Sequence, residues 1–218
     1  MKNKWIFLVL IVISTVVACK KESVGQLRVD GKVTDSRNGT GVSSARVNLN
    51  EQVLEGGSFS SAFSQAGTST STSNGSFELV FDRRNAVSYE LEVLKEGYFD
   101  RVYTINPENV TTTGAYTKNV LFTPIATLQT RLVNTSPLNG NDRIRFRYLN
   151  ANFDGCACCD NEFVVIDGTS VDSILTCDLH GDFLIKYVWE VTRNDTTTTY
   201  VDSLYCPAFM TSELEIAY

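Results

Sequence analysis

The sequence predicts an all-β chain: two β-sandwich-like antiparallel domains in tandem behind a short apolar N-terminal segment. Three observations point there. Core-type positions recur with a period of two at Leu27, Val29 and Gly31, at Val47 and Leu49, at Phe77, Leu79 and Phe81, and at Tyr89, Leu91 and Val93. No window long enough for a helix carries a capped 3.6-residue repeat. With 43% hydrophobic and 20% charged residues in 218, the chain is apolar enough to bury a core and too weakly charged to stay disordered.

The N-terminus opens with Lys2 and Lys4, runs through apolar Trp5 to Ile13, and reaches Val16-Val17-Ala18-Cys19 before polar Lys20-Lys21-Glu22-Ser23. Trp5 to Ala18 falls short of the about 20 apolar residues that span a bilayer, so it reads as a cleaved signal. Val16 to Cys19 resembles the lipobox of bacterial lipoproteins. That resemblance implies a signal peptide over 1–18, a diacylglycerol on the Cys19 thiol with palmitate as a typical chain, and a lipidated tether over 19–26. Two or more acyl chains anchor stably where one is marginal. The expected address is the bacterial cell envelope, lipid-anchored in the outer membrane. Both faces of that membrane stay open, because Lys20-Lys21-Glu22 carries no acidic export tag. Cleavage before Cys19 removes two lysines and no acid, so the body is more acidic than the whole chain's net −6.

From residue 27 the strand signals follow one another. Between Asn50 and Ser73 the composition shifts to Gly, Ser, Thr and Gln, a pattern for a long hairpin loop or a ragged edge strand. Lys118 to Phe122 closes the first half, and Pro124, which cannot donate to a central ladder, sets the junction, giving domains over 27–123 and 124–218. Arg143 to Tyr148 then alternates, with Arg143, Arg145 and Arg147 on one face and Ile144, Phe146 and Tyr148 on the other. The arginines fit a solvated strand face or an anion site. Phe183 to Arg193 and Thr196 to Tyr205 flank Asn194-Asp195 as a long hairpin. Leu214, Ile216 and Tyr218 predict a closing strand.

Within the first half, Val29-Asp30-Gly31-Lys32-Val33-Thr34-Asp35, Gly39-Thr40-Gly41-Val42, Ala45-Arg46-Val47-Asn48-Leu49, Asn74-Gly75-Ser76-Phe77-Glu78-Leu79, Tyr89 to Val93 and Lys95-Glu96-Gly97-Tyr98 stand in an order that resembles the carboxypeptidase regulatory-like domain. The resemblance covers residues 27 to 99. It implies a transthyretin-like, immunoglobulin-like sandwich, related to carbohydrate-binding-like folds, that serves as a stalk, adhesion or assembly module and not as the peptidase. On this reading Gly39 and Gly41 permit positive φ, and Asn74-Gly75 forms a tight turn. Here Thr70-Ser71-Thr72-Ser73 precedes that turn where the family often has Thr-Asp, and the 50–73 segment is longer than usual.

Chemistry is sparse. A single histidine, His180, excludes His-rich zinc sites and most hydrolase templates, and the acidic balance excludes nucleic acid as a partner. No cofactor and no catalytic set is read, so the chain is expected not to be an enzyme. Five cysteines besides Cys19 all fall in the second half. An oxidising compartment favours disulfides, with two bridges and one free thiol. Cys177 and Cys206 flank the long hairpin and are read as a staple, leaving Cys156 and Cys159 as further disulfide candidates. A competing reading takes Cys156, Cys158 and Cys159, with His180, as a metal or thiol-exchange site. His180 beside Gly181 otherwise reads as a surface turn residue. The expected partners are the membrane, through the lipid, and an envelope protein or a glycan, the last through exposed Tyr, Phe or Trp189.

Overall fold

A computed structural model describes residues 25–55, 58–59, 61–151 and 162–218. These residues form strands and loops with one short 3₁₀ turn at Pro107–Asn109, so the all-β class read from the alternation is the class observed. None of the described helical segments is long and apolar enough to cross a membrane.

The first half contains β1 (Gln26–Asp35), β2 (Arg46–Glu55), β3 (Ser58–Phe59), β4 (Ser64–Thr70), β5 (Ser76–Asp82), β6 (Ala86–Leu94), β7 (Arg101–Ile105), β8 (Tyr116–Thr117) and β9 (Val120–Phe122). One sheet is β5-β1-β8 with β9 also on β1. The other is β3-β2-β6-β7 with β4 also on β2. Their inner faces share one core built from the alternating residues of both: Leu27, Val29, Phe77, Leu79 and Phe81 meet Val47, Leu49, Tyr89, Leu91 and Val93. Period two puts each set on one side of its strand, and burying each such side chain contributes about 1.5–3 kcal/mol. The 50–73 stretch is largely strand. β2 runs on to Glu55, and β4 pairs it as an edge with a register shift between Leu49 and Asn50.

One glycine, Gly41, carries a different duty from the one its sequence context suggests. Gly39 has the positive φ expected of it, 70°. Gly41 does not serve that way; a Cβ there would lie 2.0 Å from the Asn74 carbonyl oxygen, so its need is close backbone approach. The Asn74-Gly75 turn forms, with Gly75 at φ 86° and the Asn74 side chain accepting from the Ser76 amide at 3.0 Å. It links β4 to β5 across the two sheets instead of closing a same-sheet hairpin.

The second half contains β10 (Ile125–Val133), β11 (Arg143–Tyr148), β12 (Val164–Asp167), β13 (Asp172–His180), β14 (Phe183–Arg193), β15 (Thr196–Cys206) and β16 (Thr211–Ala217). Sheets β13-β10-β16 and β12-β11-β14-β15 enclose a second core around Leu128, Ile144, Phe146, Leu179 and Ile185. The long hairpin is present, with Asn194 at φ 46° and Asp195 at φ 59°, both positive as a type I′ turn requires. Antiparallel pairing dominates. The exceptions are β8 and β9 on β1 and β16 on β10, which run parallel. β8 and β16 each arrive from the facing sheet of their half, by a crossing that alternation alone does not reveal.

Candidate functional site

Among the described residues, a dense set of polar and aromatic contacts joining distant parts of the chain lies where the two halves meet. Three elements of the first half supply it: the end of β1 with the turn after it (Asp35, Arg37), the loop before β7 (Gly97, Tyr98, Phe99) and the β9–β10 link (Phe122 to Pro124). The second half answers with the β13–β14 turn (His180 to Asp182) and the loop after β15 (Ala208, Phe209).

Arg37 is the hub. Its Nε and Nη2 donate to the two Asp35 carboxylate oxygens at 3.0 and 2.8 Å, and its Nη1 donates to Asp182 Oδ2 at 2.9 Å, 145 residues away in sequence. The planar guanidinium makes this possible, because its donors point in fixed, separate directions; an ammonium would act as a point charge. Asp35 is buried and also accepts from the Tyr98 hydroxyl at 3.0 Å. Asp182 accepts from the Ala208 amide and the Tyr205 hydroxyl, each at 3.0 Å. The guanidinium carbon lies 4.9 Å from the Phe209 ring centre, and Tyr98 stands between Phe209 and Phe122 with centroid distances of 5.2 and 5.3 Å. Phe209 takes φ 62°, uncommon for a side-chain-bearing residue, while Gly97 opposite it, at φ 82°, leaves room: a Cβ there would sit 3.1 Å from the ring.

Backbone bonds stitch the same seam. Ile125 donates to Gly97 at 2.8 Å, Gly181 to Pro124 at 2.8 Å and Phe209 to Ile125 at 2.7 Å. The Pro124 carbonyl is thus bonded across the seam. A Cβ on Gly181 would come within 2.6 Å of the Ala208 backbone, so the two loops pack without space for a side chain.

Electrostatics follow the geometry. Hydrogen bonds from Arg37 hold Asp35 below the usual carboxylate value, against the upward push of burial. The Ala208 amide, then Arg37 and Tyr205, hold Asp182 below it too. Burial first, then donation to Asp35, pushes the Tyr98 phenol up; donation to Asp182 raises Tyr205. The carboxylates therefore add stability that is complete above their ordinary value of 3.8 and lost as pH falls through their lower folded values. The phenols add stability present below about pH 10 and lost as pH rises through their raised values. Melting temperature followed from pH 7 to 2 is expected to fall on the acid side, and Arg37→Ala should shrink that fall; an identical acid profile in the variant would remove the linkage.

The site residues read from sequence scatter. Cys19, Cys156, Cys158 and Cys159 lie outside the described residues. Cys177 is disulfide-bonded, but Cys206 carries a free, fully buried thiol, so the Cys177–Cys206 staple is not formed. The reason is topological. Cys177 sits in β13, opposite Leu128, whereas Cys206 ends β15 in the facing sheet, opposite Phe183, with a side-chain hydrogen bond to Ser212. Burial pushes the Cys206 thiol up. Peptide mapping under non-reducing conditions should return Cys206 unbridged, and a thiol reagent should reach it only after unfolding; fast labelling of the native chain would contradict its burial.

His180 is not a surface turn residue. It ends β13, half-buried, with its ring 5.4 Å from that of Phe99 across the seam. No group of three potential metal ligands occurs among the described residues. Arg143, Arg145 and Arg147 share the face away from the core; Arg143 is exposed and paired to Asp167, Arg145 is half-buried and paired to Glu190 at 2.8 Å, and half-buried Arg147 lies with Arg145 over the Phe163 ring. These carboxylates weaken the anion-site reading. Trp189 is flanked by Tyr187 and Tyr200 at 5.8 and 5.1 Å, so its ring is committed within the protein. Sequence reasoning missed Arg37, Asp182 and Phe209. The only local trace was the Asp35-Ser36-Arg37 spacing, in which the Arg37 amide also bonds Asp35 at 2.9 Å.

No family model matches the chain, and no curated protein matches it. The carboxypeptidase regulatory-like resemblance therefore stands on the quoted residues. Among solved structures, the chain is similar to the Bacillus anthracis TIE protein (9% identity, TM-score 0.38, 88% of this chain and 34% of that one). It is also similar to the shaft pilin SpaA of Lactobacillus rhamnosus GG (9%, 0.34, 88% and 97%). A 9R-lipoxygenase from Cyanothece PCC8801 is similar over a shorter stretch (16%, 0.32, 47% and 17%). The chain spans about a third of the TIE protein and a sixth of the lipoxygenase. At these TM-scores the likenesses bear on neither fold nor function.

Proposed function

We propose that the chain is a non-enzymatic contact module of the bacterial cell envelope: two sandwich domains, 27–123 and 124–218, locked end to end and tethered to a membrane through lipid on Cys19. The observation that carries this reading is the Asp35–Arg37–Asp182 bridge with its aromatic packing, which ties the two cores together through side chains that do no other visible work. A flexible pair of domains would need no such seam, since relative motion is the default for a small polar interface. A locked pair holds whatever it displays at a fixed distance and angle from its anchor, which suits a stalk, adhesion or assembly role.

The anchor has its own support in the residues from Lys2 to Cys19. Growth with a clickable palmitate analogue should label the native protein and not Cys19→Ser, which should leave the membrane fraction. Equal labelling, or equal membrane retention, would refute the anchor while leaving the seam intact.

A further inference from the structure

We propose that β15 is a self-association edge: two copies of this chain pair β15 to β15, antiparallel, about a two-fold axis through Val201, joining their four-stranded sheets into one.

The hairpin fixes which backbone groups are free. In a two-residue type I′ turn the flanking pair, Arg193 and Thr196, exchanges both hydrogen bonds, and antiparallel ladders alternate from there. Thr196, Thr198, Tyr200, Asp202 and Leu204 therefore turn their N–H and C=O groups to β14. Thr197, Thr199, Val201, Ser203 and Tyr205 turn theirs to the open edge, since β15 ends the sheet among the described residues. The Ser203 amide agrees with this parity: it is bonded not to β14 but to the Asp202 carboxylate at 2.7 Å, a local bond that strand pairing would replace.

β15 is also an unguarded edge. Sheet edges in soluble proteins are blunted by shortness, bulges, Pro or charge. β12 is short; β4 has a register shift; β16 carries Glu213 and Glu215; β13 carries Asp172 and Asp178. β15 runs 11 residues with no Pro, Gly or Lys, and exposes Tyr200 at 45% and Val201 at 66%. Its open-edge residues, 197 to 205 by twos, are centred on Val201, so the axis there uses all of them. The two-fold register through Val201 favours a second copy as the occupant, because it sets no like charges face to face. Asp202 is the sole charged residue in β15, and in this register it meets the other copy's Tyr200 and not its Asp202. Val201 meets Val201, and Thr197 meets Tyr205. No foreign strand is needed to complete the match.

The test uses the full chain with Cys19→Ser to remove lipid-driven association. Sedimentation across a concentration series should show a monomer–dimer equilibrium, and Val201→Lys, which sets two like charges face to face on the axis, should return the chain to monomer with unchanged circular dichroism and melting. A monomer at every concentration, or a dimer that Val201→Lys leaves intact, overturns the proposal. Should the variant misfold, amide exchange of the Cys19→Ser chain without that change decides. Residues 197, 199, 201, 203 and 205 should gain protection as concentration rises, and concentration-independent exchange there would also overturn it.

Discussion

Gly41→Ala is expected to lower the unfolding free energy by about 3 kcal/mol, through overpacking that no side-chain motion can relieve. The added Cβ would stand 2.0 and 2.1 Å from the carbonyl oxygen and carbon of Asn74 and 2.8 Å from the Gly75 nitrogen. All three atoms are backbone, and Gly75 is itself pinned, with its own Cβ position 2.2 Å from the Val33 carbonyl. The loop before β2 would have to lift off the turn before β5, opening the end of the first core beside Val42 and Phe77. Gly39→Ala makes the contrast. Nothing lies within 4 Å of its Cβ, so it should cost only the strain of φ 70°, roughly 1 kcal/mol. Thermal denaturation of both variants should rank Gly41 well above Gly39, and the reverse order would mean that positive φ, not close approach, governs this region.

Arg37→Ala should act on stability and on coupling together. Removing one partner of a buried ion pair costs about 3–5 kcal/mol. Arg37 is 30% exposed and Asp35 keeps the Tyr98 hydroxyl, so water and that donor offset part, leaving about 2 kcal/mol. The larger consequence is at the seam. Without the guanidinium, Asp182 loses its link to the first half and Phe209 loses the cation over its ring, and calorimetry should resolve one transition into two. Arg37→Lys should rescue only partly, because a single ammonium cannot address both carboxylates with the same directionality. A single transition at an unchanged temperature in Arg37→Ala would show that the backbone bonds around Pro124 hold the halves alone.

Local patterns in the sequence were legible wherever the physics is local. Alternation at Phe77 to Phe81 and Tyr89 to Val93 marked strands because a pleat sends every second side chain inward, and those side chains are buried. Asn194-Asp195 marked a turn because both residues tolerate positive φ. What stayed hidden depends on which strand lies beside which. The parallel placement of β16 on β10, the separation of Cys177 from Cys206 into facing sheets, and the recruitment of His180 to the seam all arise from contacts between segments far apart in sequence. Arg37 and Asp182 show the same limit: each looks like an ordinary polar turn residue until the fold brings them to 2.9 Å.

The locked seam is most directly tested by amide residual dipolar couplings of the Cys19→Ser chain at neutral pH. If the bridge, the Tyr98–Phe209 packing and the Pro124 bonds fix the two cores together, one alignment tensor fits the strands from β1 to β9 and those from β10 to β16. Two tensors that differ in magnitude would mean that the halves move independently, and that the contacts around Arg37 do not hold them.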